Sequence, residues 1–184
     1  HEPRLKAALG LGYAVNPHGA DHCANMHDTM VAGRGLERLK PLGILEPLPA
    51  DDLGPSKVSL FRYVQQERIV RDCLTICSFV PYDVEQLSDI LAVVTGWNTG
   101  TVEMLRVAER TLTMARLFNI REGFTAADDK LPDRFFQPKR NGALSTKFYS
   151  AEELEKAKSY YYALMGWDAD GVPTPERLQE LGIE

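Results

Sequence analysis

The most regular pattern of apolar positions lies in the second half of the chain. Val102, Leu105, Ala108, Leu112, Ala115 and Phe118 recur at three and four residues behind Thr99 or Thr101, which predicts an amphipathic helix. Upstream, Ser56 stands as N-cap of a long helix running to about Val80, where Pro81 stops it. Leu60, Tyr63, Val64, Ile69, Val70, Leu74, Ile76, Cys77 and Val80 keep an apolar face through it. Its later half is apolar nearly all round, as in a helix buried on several sides. Asp83 caps a helix from Val84 to Val94, closed by Thr95-Gly96-Trp97. Ser150-Ala151-Glu152-Glu153 is a capping-box pattern opening a helix through Leu154, Ala157, Tyr161 and Leu164 to Gly166. Thr174-Pro175-Glu176 starts a last short helix ending near Gly182.

The remaining segments are less regular. Pro3 suits a first helical turn, and Leu5, Leu9 and Leu11 follow at partly helical spacing, with Gly10 and Gly12 interrupting it. Asn16-Pro17-His18-Gly19 marks a turn. A helix is expected over Ala20 to Val31, starting near Asp21 and ended by Gly33 and Gly35. Residues 41–56 carry Pro41, Gly43, Pro47, Pro49, Gly54 and Pro55 and read as a loop. The stretch 123–148 reads as irregular. No segment alternates as a strand does and none repeats. The fold class is therefore all-α, an irregular multihelical domain covering residues 1–184.

Composition narrows the function. A chain of 184 residues with 44% hydrophobic content can bury a real core. A net charge of -5, with basic residues scattered as at Arg34, Arg38 and Lys40, offers no footprint for nucleic acid. No apolar run approaches the roughly 20 residues of a membrane span. Cys23, Cys73 and Cys77 make an odd number, which argues against a disulfide framework and for a reducing, cytoplasmic setting. His1-Glu2-Pro3-Arg4 lacks an initiator Met and reads as a cut into a longer polypeptide.

Two stretches could carry chemistry. Arg71-Asp72-Cys73-Leu74-Thr75-Ile76-Cys77 sits in an apolar segment expected to be buried. Cys73 and Cys77 fall on one helix face, either as metal ligands or as two small buried side chains. Asp72, flanked by Ile69, Val70, Leu74 and Ile76, needs a partner if buried, and Arg68 or Arg71 could form an ordinary ion pair with it. The second stretch holds His18, Asp21, His22, Cys23, His27 and Asp28. It reads as a zinc-type metal site, as a capped polar loop with ordinary histidines, or as part of an active site.

Several runs together resemble the tungsten-containing aldehyde ferredoxin oxidoreductase family, in its C-terminal (third) helical domain. Leu9-Gly10-Leu11-Gly12-Tyr13-Ala14 through Asp21-His22-Cys23 is similar to the segment that opens that domain, with His18 where Arg is common. Thr95-Gly96-Trp97-Asn98, Glu109-Arg110 and Arg116-Leu117-Phe118-Asn119-Ile120-Arg121-Glu122-Gly123-Phe124 follow in order. Asp128-Asp129, Leu131-Pro132-Asp133-Arg134-Phe135, Gly166-Trp167-Asp168 and Gly171-Val172-Pro173-Thr174 complete the resemblance, which spans nearly the whole chain. Their expected role is structural, with Arg121 and Glu122 fixing a turn. The family's Asp-x-x-Gly-Leu-Cys-like motif falls on Asp72 to Cys77, with Thr75 where Gly is usual. A larger residue there would narrow the approach to the pterin.

The resemblance implies that Asp72 binds the amino groups of one pterin of a tungsten bis-pterin cofactor. It implies that Cys77 is the fourth ligand of a [4Fe-4S] cluster, and that His22 hydrogen-bonds substrate or assists proton transfer. Carboxylates accept strong bonds from N–H groups, and thiolates are the usual cluster ligands. The other three thiolates would come from a Cys-x-x-Cys-x-x-x-Cys run in upstream domains, so the isolated chain is expected to hold neither metal centre and to be inactive. The implied reaction oxidises aldehydes to carboxylates, with ferredoxin or a partner subunit as electron acceptor. A non-aldehyde redox substrate and a non-enzymatic helical binding module are the alternatives. A domain parted from its neighbours would expose apolar surface near Leu9 to Val15 and around Asp72 to Cys77, and would self-associate.

Overall fold

Six α-helices account for the regular structure in the computed structural model, which describes residues 1–33, 40 and 43–184. They are α1 (Ala7–Val15), α2 (Pro55–Cys73), α3 (Val84–Thr95), α4 (Thr101–Arg121), α5 (Ala151–Met165) and α6 (Pro175–Leu181). Short 3-10 turns lie at Asp28–Met30 and Asp133–Phe136. Among the described residues there is no strand, only one antiparallel bridge between Trp167 and Pro173, so the all-α expectation holds. Arg34, Gly35, Arg38 and Pro41 lie outside the described residues.

Local cap chemistry sets most helix ends. Asp83 accepts from the Gln86 amide while the Gln86 side chain accepts from the Asp83 amide, a complete capping box at α3. Ser150 and Thr174 cap α5 and α6 through their hydroxyls. Gly54 rather than Ser56 precedes α2, with Pro55 in its first turn.

The core forms where α2 packs along α4 and α5. Leu60, Phe61 and Val70 of α2 meet Met104, Ala108 and Leu112 of α4 and Leu154, Ala157, Tyr161 and Met165 of α5. Burying each large side chain contributes about 1.5–3 kcal/mol. The Phe61 and Tyr161 rings lie 5.6 Å apart, and the Tyr161 hydroxyl donates to Gln65 Oε1 at 2.7 Å.

Two polar knots tie the helices. Glu109 on α4 accepts from Arg62 and Gln66 of α2 at 2.8 and 2.9 Å and pairs with Arg177 of α6 at 2.8 Å. Arg116 donates to Asp129 Oδ1 and to the Gly171 carbonyl, both at 2.9 Å, and lies over the Tyr162 and Trp167 rings. The Tyr162 hydroxyl donates to the other Asp129 oxygen. Residues from three of the C-terminal runs thus meet at one buried cation. Arg121 and Glu122 do not fix the turn as expected. Their side chains are exposed and make no hydrogen bond or ion pair among the described residues. Gly123, at φ 94, turns the chain instead.

Three sequence expectations are corrected. Gly10 and Gly12 do not interrupt α1; they let it pack. A Cβ on Gly10 would stand 2.5 Å from Tyr149 Cε2, and one on Gly12 2.2 Å from Asn25 Oδ1. The expected helix over Ala20 to Val31 is replaced by turns, because its side chains serve other backbone groups. Asp21 accepts from the Cys23 amide, and Asp28 accepts from the amides of Ala8 and Leu9 at the start of α1. Lys57 pairs with that buried Asp28 at 3.0 Å. Finally, α2 ends at Cys73, not Val80.

Exposure also departs from expectation. Leu9, Leu11 and Val15 are buried. The open apolar surface lies instead on Phe79, on Val93 and Val94 of α3, on Trp97, and on Phe118 of α4.

Candidate functional site

The end of α2 shapes the site. The Ile76 amide donates to the Arg71 carbonyl at 2.9 Å and the Thr75 amide to the Asp72 carbonyl at 3.0 Å, the paired bonds of a left-handed helix terminus. Thr75 takes φ 56, the one non-glycine residue with positive φ among those described. The position that wants glycine therefore wants it for its backbone, independently of any crowding of a ligand. The chain then leaves the helix axis, with Ile76 resting half-buried against the core and Cys77 turned outward. The expected burial of this apolar segment is not met: Asp72, Cys73 and Cys77 are exposed.

Among the described residues the Asp72 carboxylate has no hydrogen-bond or ion-pair partner. Partial burial pushes its carboxyl above the ordinary carboxylate range; His18 and Arg68 pull it down and Asp21 pushes it up. Arg71, one of its two expected partners, turns away, donating to Glu67 Oε1 at 3.1 Å, to the Val80 carbonyl at 3.1 Å and to the Tyr82 carbonyl. The two cysteines part company. Cys73 Sγ lies 3.5 Å from Thr111 Oγ1 on α4, whereas the Cys77 thiol has no partner among the described residues.

The Pro17–Cys23 loop lies beside this turn, close enough that His18 and Asp21 act on the Asp72 carboxyl. Asn119, near the end of α4, anchors the loop by donating to the Pro17 carbonyl at 2.7 Å. His18 meets Asp21 at 3.2 Å. His22 turns to the other side, stacked on His1 at 4.0 Å, with its Nε2 3.4 Å from Cys23 Sγ. Donor atoms of Asp21, His22 and Cys23 lie within 4.8 Å of one another, the one such trio among the described residues. The other candidate ligands are engaged: His27 bonds Lys6 and the His22 carbonyl, and Asp28 is the buried cap of α1. Burial first, then the Lys6 charge, holds the His27 imidazole below its ordinary pKa.

Asp72 and Cys77 are thus brought to one turn, with His18 and Asp21 next to it, and His22 stands on the same loop without touching either. Asn25, Asn119 and the clamping role of Arg71 were missed by sequence reasoning. A buried Asn beside a glycine-bearing helix was the available signal for Asn25, which donates to the Asp21 carbonyl at 2.7 Å.

Known proteins are similar to this chain in sequence and in shape. Over its whole length the chain is 30% identical to a tungsten-containing aldehyde ferredoxin oxidoreductase of Pyrococcus furiosus and 29% to that of Thermococcus kodakarensis, spanning 29% of each relative. A weaker likeness, 28% identity over 119 residues, joins 61% of the chain to 19% of the Pyrococcus furiosus "Aliphatic sulfonate oxidoreductase, WOR-like subunit". In shape it is similar to a chain of the solved active site complex BamBC of benzoyl coenzyme A reductase bound to 1,5-dienoyl-CoA. That likeness has TM-score 0.59 and 25% identity, over 76% of this chain and 20% of that one. The family model described as "Aldehyde ferredoxin oxidoreductase, domains 2 & 3" matches residues 1–183, and the chain belongs to the aldehyde ferredoxin oxidoreductase family.

Proposed function

We propose that residues 1–184 act as one helical unit that supplies a wall of the cofactor site in a larger tungsten oxidoreductase, oxidising aldehydes to carboxylates. The observation that carries this is the pair of unengaged groups at the α2 terminus, the Asp72 carboxylate and the Cys77 thiol, five residues apart on one turn. The donor chemistry fits the group that the family's tungsten-containing members imply. A free carboxylate can accept two N–H bonds from a pterin edge. A free exposed thiol can ligate iron as thiolate. With three cysteines in the chain, only Cys77 offers an unengaged thiol on this turn, so the other three thiolates of a [4Fe-4S] cluster come from outside these residues.

When bound, the tungsten pterin supplies the two-electron chemistry and the cluster the path for single electrons. Asp72 would orient the pterin, Cys77 would supply one thiolate to the cluster, and His22 would hold or pass a proton at the substrate side, as an imidazole can. Ferredoxin or an electron-transfer subunit would take up the electrons. Three free thiols suit a reducing, cytoplasmic location. A second reading, a non-aldehyde redox substrate, draws support from the likeness to the aliphatic sulfonate and benzoyl coenzyme A enzymes.

The test is metal content in the full-length protein. Asp72→Asn keeps the size and removes the charge, and is expected to lower tungsten occupancy with the fold intact. Cys77→Ser is expected to lower iron. Unchanged tungsten and iron in both variants would end the assignment.

A further inference from the structure

We propose that Arg71 is a positioning residue that holds the Cys77 thiol in the place where it meets the cluster; this rests on the reading of Cys77 as a cluster ligand. Arg71 lies in the last turn of α2 and is only 5% exposed. A cation there complements the negative end of the helix. Its donors go further. One Nη reaches the Val80 carbonyl at 3.1 Å, and the other reaches the Tyr82 carbonyl and is steered by Glu67 at 3.1 Å. The same residue's own carbonyl accepts the Ile76 amide at 2.9 Å, and the Val80 amide donates to the Cys77 carbonyl at 3.0 Å.

These bonds close a ring. It runs from the Arg71 main chain through Ile76, Cys77 and Val80 and returns through the Arg71 guanidinium. Cys77 sits inside it. Among the described residues, no other side chain outside Thr75–Tyr82 hydrogen-bonds into that segment's backbone from α1, α3, α4 or α5. Packing holds the start of the segment, where Ile76 rests against the core, but not its far end, since Phe79 is 92% exposed. Ile76 fixes the side of the thiol that follows the helix, and Arg71 fixes the side that leads to Val80 and Tyr82. Lysine cannot replace Arg71, because one ammonium on a flexible stem cannot hold divergent bonds as a planar fork does. A ligand group displaced by more than about 0.5 Å no longer meets its metal well.

The experiment uses the full-length protein purified anaerobically with its cluster. Arg71→Lys, Glu67→Gln and Cys77→Ser are compared by the EPR spectrum of the reduced cluster, by the rate of iron loss to a chelator, and by Tm. Arg71→Lys is expected to release iron about 10-fold faster, the usual scale for a lost supporting contact, with a shifted cluster signal in the folded fraction. Glu67→Gln, at a half-buried site outside the ring, is expected to move both readouts less, in the same direction. A lower Tm with wild-type EPR and iron-loss rate in both variants would overturn the proposal, leaving Arg71 a plain structural staple. Should Arg71→Lys fail to fold, wild-type readouts in Glu67→Gln overturn it alone. Cys77→Ser separates the two ideas: full iron and a wild-type spectrum there remove the ligand reading itself.

Discussion

Thr75→Gly should stabilise the chain. Thr75 sits at φ 56 just past α2, where a β-branched side chain crowds the following carbonyl. The left-handed conformation costs a non-glycine residue roughly 1–2 kcal/mol. Glycine loses more backbone freedom on folding, a cost of about 0.5–1 kcal/mol. The net gain is about 0.5–1 kcal/mol, the reverse of what helix propensity alone gives for a glycine inside a helix running to Val80. No packing is lost, since Thr75 is exposed and its hydroxyl bonds only the Leu74 carbonyl. For a chain of this size the gain is worth roughly 1–4 °C in Tm. Thermal unfolding followed by circular dichroism, with urea unfolding beside it, reads the effect. Gly123→Ala is the matched control: φ is 94 and a Cβ meets nothing within 4 Å, so backbone strain acts alone and should destabilise by about 1 kcal/mol. A Thr75→Gly chain that melts at or below the parent would refute the argument.

Asp129→Ala should cost about 3–5 kcal/mol in urea unfolding, because it leaves Arg116 buried without its countercharge; a loss under about 1 kcal/mol would show the cation relaxing to solvent. Gly12→Ala should cost about 1–3 kcal/mol, since its Cβ would collide with the buried Asn25 side chain, and a wild-type Tm would mean that Asn25 swings aside freely. Asp72 sets a pH dependence. Its folded pKa is raised mainly by burial, so the native state holds the proton more tightly than the unfolded chain. Its contribution then falls as pH rises from the ordinary value of 3.8 through the folded pKa, and stays an unfavourable constant above. Asp72→Asn should match the parent below that window and be at least as stable at pH 7; a clearly lower Tm at pH 7 would restore the structural ion pair.

What sequence could show here was whatever is decided locally. The caps at Asp83, Ser150 and Thr174 are read from a few adjacent residues, and they stand where expected. The glycines of α1 misled because their reason lies far along the chain, in Tyr149, and across the turn, in Asn25. The helix expected over Ala20 to Val31 failed because Asp28 caps a different helix. The end of α2 was hidden because threonine is not a residue that announces a left-handed turn. At the site, Asp72 and Cys77 were visible as chemistry. Their exposure and the hold of Arg71 on the following loop were not, since both depend on where the chain turns.

The contacts that seat α1 also bear on the order in which the chain assembles. The Tyr149 hydroxyl donates to the Ala7 carbonyl across 142 residues, and Arg4 donates to the Gln137 carbonyl across 133. Closing such spans costs chain entropy before any contact rewards it. During synthesis α1 emerges before the other helices of this unit, yet Tyr149, which fills the groove at Gly10, and Gln137, which receives Arg4, emerge long afterwards. The pairing of α2 with α4, whose Arg62–Glu109 contact spans 47 residues, is therefore expected to form before either α1 or α5 is seated. The Pro17–Cys23 loop is hung between α1 and Asn119, so the stretch that carries His22 is expected to settle only after the end of α4 has been made.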